Sequence, residues 1–304
     1  MYTNTFRNTF FVDFLEAFGL TNTLKDIDVV RPTLRSEKGG DFDVERASDE
    51  STNSTTSTSP AEEFEEIKDD KEAIDVGNQT TPSEKDPFLV EFAGDDDPEH
   101  PLNWSKMKKA ITICQVVLLT CVTYMGSSIY TPGQQEIQEE FHVGHVVGTL
   151  NLSMYVLGYG LGPVIFSPIS EFSKIGRQQL YIWTLFGYTM LQIGCALVNN
   201  IAGLVILRFI TGILCSPSLA TGGATVGDIV PQDLVPIFMG LWSIGAVCAP
   251  VVGPLLGASM VVAKNWRYIF WFLMWLSSLT LIILVFFFPE TSSENILYRR
   301  AIRL

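Results

Sequence analysis

The stretch "LVILRFITGILCSPSLA", residues 204–220, is apolar almost throughout, yet it carries one guanidinium, Arg208. It lies inside an apolar run from about 201 to 225. Crossing the ~30 Å of bilayer hydrocarbon takes ~20 residues at a rise of ~1.5 Å each. Five further runs of this kind flank it, at approximately 109–130, 144–166, 179–198, 237–262 and 267–288. Backbone N–H and C=O groups cannot go unpaired in lipid, so these runs predict six transmembrane helices. Placing Arg near a helix centre costs roughly 2.5–3.5 kcal/mol even on the lenient insertion scale. Arg208, about seven residues into its run, is therefore expected to face the bundle interior or a wet cavity. It would act there either as a coupling or substrate-binding cation or as a pin for neighbouring carbonyls.

Working outward, the rest of the chain is a different material. Of 304 residues 47% are hydrophobic and 17% charged, with a net charge of -13. Residues 1–103 hold 25 acidic and 9 basic side chains, net -16, and residues 104–304 hold 8 and 11, net +3. The front third is rich in Ser, Thr, Asp and Glu and poor in large apolar groups, so residues 21–103 read as a disordered acidic tail. Its charge argues against nucleic-acid binding, which needs clustered Lys and Arg. Phe6, Phe10, Phe14 and Phe18 recur at i, i+4, which makes residues 1–20 a possible amphipathic segment. Polar residues interrupt that segment, so it does not read as a cleavable signal peptide.

Lys and Arg near the span ends set the orientation. A cytoplasmic N-terminus places Lys106, Lys108, Lys109, Lys174, Arg177, Arg299, Arg300 and Arg303 inside, against Lys264 and Arg267 outside. Both termini are expected in the cytosol, so the Asn-X-Ser/Thr triplets at Asn53, Asn78 and Asn103 read as chance matches. Near the two exceptions, Trp266, Tyr268 and Trp271 suggest an interfacial aromatic belt.

Several motifs carry chemistry. In "GPVIFSPISEFSKIGRQQ" (162–179), Glu171, Gly176 and Arg177 form a tight charged connection, and Asp228 at the end of the fourth run is the natural partner. The loop reads as a gate or as a topology anchor. In "GAVCAPVVGPLLGAS" (245–259), Gly245, Gly253 and Gly257 with Pro250 and Pro254 give a bent, small-faced helix, suited to a moving interface or to static packing. Asn151 and Tyr155 share a face and, with Gln115, would line a polar cavity or serve as interhelical glue. The five cysteines lie in apolar runs without metal-site spacing. The histidines, His100, His142 and His145, join no nucleophile, metal or phosphate-loop constellation. No enzyme, cofactor or metal site is expected.

Together these pieces resemble the major facilitator superfamily, and more closely the fungal twelve-span drug:proton antiporters of the fluconazole-resistance type. Glu171, Gly176 and Arg177 are similar to the signature loop between spans two and three, although the Glu stands five residues before the Gly. Arg208 with Gly212 resembles the signature of span four. Gly245, Gly253, Pro254 and Gly257 resemble the antiporter signature of span five, whose last small residue here is Ala258. The stretch 97–104, Asp-Pro-Glu-His-Pro-Leu-Asn-Trp, resembles the family's approach to span one.

The resemblance implies an all-α membrane protein in which residues 104–290 form a six-helix N-terminal half-bundle, a 3+3 inverted repeat, and 291–304 begin a central cytoplasmic loop. Spans one, two, four and five would line the cavity, with spans three and six facing lipid. The implied activity is proton-coupled efflux of small amphipathic drugs at the plasma membrane. The implied partners are drugs, protons, lipid and a C-terminal half or second copy. The closing stretch "FFFPETSSENILYRRAIRL" (286–304) then reads as a truncation point. A non-transporting membrane partner and, less favoured, a nutrient uptake carrier are the competing expectations.

Overall fold

In the computed structural model the described residues are 9, 10, 92 and 97–303. Expectations for the amphipathic segment and for most of the acidic tail fall outside them. Among the described residues six spans are long and apolar enough to cross a membrane. Span one is α1 (Lys106–Ser128), followed by the short outer helix α2 (Gln134–Phe141). Span two is α3 (His145–Glu171) and span three is α4 (Gly176–Leu197). Span four comprises α5 (Ile201–Cys215), α6 (Pro217–Ala220) and α7 (Gly222–Ile229). Span five is α8 (Val235–Ala263), span six is α9 (Arg267–Phe287), and α10 (Ser293–Arg303) follows.

Local chemistry places the ends. Ser105 caps α1 by accepting from the Lys108 N–H at 3.4 Å, and Asn200 caps α5 by accepting from the Ala202 N–H at 3.2 Å. Pro217 breaks span four, so "CSPSLATGG" yields three short helices where one was expected. Charged ends carry helices past the hydrocarbon, which is why α3 runs to Glu171 and α4 starts at Gly176.

The packing pattern exposes an internal symmetry. The main pairs are α3 on α5, α1 on α8, and α4 on α9, followed by α4 on α5 and α1 on α9. Exchanging spans one to three with four to six maps the one–five pair onto four–two, three–six onto itself, and three–four onto six–one. That is the relation an inverted 3+3 repeat produces. Small residues permit the close crossings. A Cβ on Gly158 would stand 3.0 Å from the Ile213 backbone nitrogen, and one on Gly257 would stand 3.2 Å from the Ile129 side chain.

Three expectations need correcting. Span three, expected to face lipid, does so with one stripe only, its apolar window being 56% buried within the chain. Its outer stripe of Trp183, Phe186, Met190 and Leu197 is exposed, while Tyr181, Tyr188, Gln192 and Cys195 turn inward. Second, the segments that flank the six spans, 97–104 and 289–303, are packed where a tail and a loop were expected. Asp97 is buried and pairs with Arg300 at 2.7 Å, Trp104 packs with Ile113, Val226 and Ile229, and residues 293–303 are helical. Thr9 forms an isolated antiparallel bridge with Pro289. Third, Trp266 is buried and not part of a belt. Its backbone N–H donates to Glu136 at 2.8 Å, its indole N–H donates to Glu140, and Arg267 pairs with Glu140 at 2.8 Å.

Candidate functional site

Arg208 is 1% exposed and lies deep in the bundle. One guanidinium nitrogen, Nη1, donates to the Gly126 carbonyl of α1 at 2.9 Å. Three rings surround the guanidinium, with centroids at 4.8 Å for Tyr130, 4.8 Å for Phe270 and 5.3 Å for Tyr155. Among the described residues no carboxylate lies within ion-pair distance of it. Burying an uncompensated cation costs several kcal/mol, and desolvated cation–π contacts of about 2 kcal/mol each offset part of that. The carbonyl-pin reading is therefore realised, but two of the side chain's nitrogens, Nε and Nη2, have no protein partner.

The surrounding side chains are tied to the bundle. The Asn151 amide N–H donates to the Tyr130 hydroxyl at 3.1 Å, which donates to the Gly148 carbonyl at 3.0 Å. The Tyr155 hydroxyl donates to the Thr123 carbonyl at 2.9 Å. Asn151 and Tyr155 thus join helices beside Arg208 and do not line an open cavity. Gln115, expected with them, is buried on α1 eleven residues before Gly126, about 16 Å away along the axis. The structure does not bring it to this cluster. Gly212 serves packing: a Cβ there would stand 3.1 Å from the Tyr159 backbone nitrogen.

A second cluster forms at the α3–α4 loop. Gly176 has φ +70°, which a side chain would strain, and it turns the chain sharply into α4. Arg177 pairs with Asp228 of α7. Glu171, the expected acidic member, is exposed at the end of α3 without an ion pair among the described residues. Its place is taken by Glu290, which sequence reasoning missed. Glu290 is fully buried and accepts backbone N–H bonds from Arg177 at 3.1 Å, Gln178 at 3.3 Å, Thr291 at 3.0 Å and Ser292 at 3.0 Å. Burial raises its carboxyl above the ordinary Glu value, and the Ser292, Arg177 and Gln178 N–H groups and the Arg299 charge oppose the shift. Around it, Gln178 donates to the Phe288 carbonyl at 2.6 Å and Asn295 donates to the Ser173 carbonyl at 2.6 Å. The signal was present as Pro-Glu-Thr directly after an apolar run.

The small face of α8 lies against α1. A Cβ on Gly245 would stand 2.7 Å from Val117, and one on Gly253 would stand 3.2 Å from the Ile129 backbone nitrogen. The Cys121 thiol donates to the Gly245 carbonyl at 3.2 Å, and Pro250 and Pro254 lie within the same helix. A buried cation in span four, a charged loop between spans two and three, and a Gly-Pro span five packed on span one now stand together in one bundle. The sequence profile of the Major Facilitator Superfamily matches residues 116–301. The chain belongs to that superfamily.

Its relatives within the superfamily are fungal transporters. It is 54% identical to "Fluconazole resistance protein 1" of Saccharomyces cerevisiae, across all of this chain and 54% of that protein. It is 51% identical to "Multidrug transporter FLR2" of Candida glabrata, across all of this chain and 57% of that protein. Against "Multidrug transporter FLR1" of the same yeast it is 66% identical over 73% of this chain and 40% of that protein. The chain spans about half the length of the curated relatives it matches. As a major facilitator half-bundle it places Arg208 at the meeting of spans one, two, four and six, and Arg177, Asp228 and Glu290 at one end.

Proposed function

We propose that this chain forms one half of a proton-driven exporter of small amphipathic drugs, working with a second six-helix half or a second copy of itself. The observation that carries this reading is Arg208, a buried guanidinium with no carboxylate counter-charge among the described residues. Keeping such a charge in a membrane core is costly, and intramembrane ions mark transport sites. In this reading Arg208 acts by biasing the field around protons and substrate. The names of its relatives support drugs as the cargo. Exposed apolar side chains on α3 and α8, among them Leu157, Leu161 and Val164 and Val247, Val251 and Leu255, support a partner half against spans two and five.

Arg177, Asp228 and Glu290 form the gate of this reading, a charged latch that holds the α3–α4 loop against α7 and the exit of α9. The Lys and Arg bias supports cytoplasmic termini, and the plasma membrane is the location that goes with drug export in this reading. A non-transporting membrane partner is the second reading. An uptake carrier is less favoured, because the Gly-Pro face of α8 has the antiporter pattern. The test is azole retention in yeast expressing the chain alone and together with a matching second half, with and without a protonophore. Lower retention that the protonophore abolishes supports proton-driven efflux. Unchanged retention in every combination overturns it, and glycosylation at Asn103 would overturn the orientation.

A further inference from the structure

Half of the buried polar atoms without a protein partner among the described residues lie on helices that meet around Arg208. They are Nε and Nη2 of Arg208 on α5, Oδ1 of Asn151 on α3, both amide atoms of Gln192 on α4, and the Tyr188 hydroxyl, whose polar neighbour is the Tyr155 hydroxyl, itself donating to the Thr123 carbonyl. All four residues are at most 1% exposed. Residues 188, 192 and 195 follow one another at i, i+4 and i+7, so they share one face of α4. The two that flank Gln192, Tyr188 and Cys195, lie within electrostatic reach of Arg208. At Gly126, whose carbonyl holds Arg208, a Cβ would stand 2.8 Å from the Tyr155 hydroxyl and closer still to that of Tyr188. The two hydroxyls therefore converge on the backbone that anchors the guanidinium.

Buried polar groups in folded proteins are satisfied by protein or by ordered water, and a buried water typically has about three polar partners. The partnerless set is chemically mixed. Arg208 offers donors, Asn151 an acceptor, Tyr188 either, and Gln192 presents one of each whichever way its amide is turned. An anion would want donors alone, and a carboxylic substrate likewise. A water molecule uses both kinds of partner at once and is small enough for a buried site.

We infer that Tyr188 and Gln192 on α4, with Asn151 and Arg208, form a buried water-binding site that extends the polar heart of the bundle into span three. The site supplies what the described helices lack beside Arg208, a group able to hold and pass a proton, and in that role it rests on the proton-coupled reading above. The hydration itself does not depend on that reading. It also explains why α4 is polar on its inner face and apolar on its outer one.

The structure contains its own control. Tyr181 is the same residue type on the same helix and is equally buried at 1%, but its hydroxyl is satisfied by Thr225 at 2.9 Å and Thr221 at 2.7 Å. The experiment is hydroxyl-radical footprinting of the purified 304-residue chain in lipid nanodiscs, read by mass spectrometry, because bound water generates the radical next to the side chain it touches. Tyr188 is expected to oxidise several-fold faster than Tyr181. Gln192→Leu is expected to reduce Tyr188 oxidation toward the Tyr181 rate while Tyr181 stays unchanged, which also reports that the bundle is intact. Gln192→Met serves as the second variant should the leucine disturb folding. Equal, slow oxidation of both tyrosines overturns the site, as does a Tyr188 rate indifferent to either substitution. Fast Tyr188 oxidation together with unchanged azole retention supports the water site while overturning efflux.

Discussion

Replacing Glu290 separates its role as a backbone acceptor from its charge. In Glu290→Ala four backbone N–H groups lose their acceptor. Arg177 and Ser292 are part-buried, so water can replace the carboxylate there. Gln178 and Thr291 are fully buried, and an unsatisfied buried donor costs about 1–3 kcal/mol. The alanine variant should therefore lose about 2–6 kcal/mol. Glu290→Gln keeps an oxygen in the place of Oε1, which accepts from Arg177, Thr291 and Ser292, and gives up only the 3.3 Å bond from Gln178. It should lose about 1–2 kcal/mol, because it also spares the desolvation of a buried charge. Equilibrium unfolding in mixed micelles, titrated with a denaturing detergent and followed by Trp fluorescence, measures both. If glutamine costs as much as alanine, or alanine costs less than about 1 kcal/mol, Glu290 does not organise the loop through its acceptor oxygens.

Other consequences follow from neighbouring geometry. Because burial raises the Glu290 carboxyl, the folded chain holds that proton to higher pH than the unfolded chain does. Its contribution should fall as pH rises from the ordinary Glu value of about 4.3 through the raised one, and Glu290→Gln should flatten that slope in pH-dependent unfolding. A double-mutant cycle of Arg177→Gln and Asp228→Asn should give a coupling of only about 0.5–1 kcal/mol in stability, since the Asp228 side chain is 36% exposed. Gly212→Ala should destabilise by about 1–3 kcal/mol, because the new methyl meets α3 backbone, whereas Gly187→Ala meets only the tip of Leu214 at 3.0 Å and should cost less. Asp97→Asn should speed amide hydrogen exchange in residues 97–103 and 293–303 while leaving α1 and α5 protected, since it breaks the pair with Arg300.

The spans were legible because a bilayer imposes one length and one backbone solution, and Arg208 was legible because a lone charge in an apolar run has few alternatives. The Arg177–Asp228 pair was also legible, since both residues stand where polar turns must lie at one end of the bundle. Glu290 was not. Its sequence context resembles an exposed helix exit, and only the Gly176 turn, more than a hundred residues away, brings the N–H groups that bury it. Glu171 was chosen instead because sequence proximity stood in for spatial proximity. The inner face of span three was missed for a similar reason. Tyr188 and Gln192 are scattered among leucines and aromatics, and a period of 3.6 hides two polar residues until the neighbouring helix is known.

The two clusters differ in how they use charge. At the loop end three charges have specific partners: Arg177 has Asp228, Arg300 has Asp97, and Glu290 has four backbone donors. That end is built to hold one arrangement firmly until a competing partner replaces it. In the middle of the bundle the opposite holds, because Arg208 is anchored by one carbonyl and three rings and keeps two nitrogens open. A transporter needs both properties, a latch with discrete states and a site whose polar atoms are not already spent on the fold. Buried polar atoms that the fold leaves unpaired raise its energy. Half of those among the described residues lie around Arg208, with others at the loop end on Arg177, Gln178, Thr291 and Asn295, and the cluster in the bundle core is the arrangement expected if that cost is borne for transport.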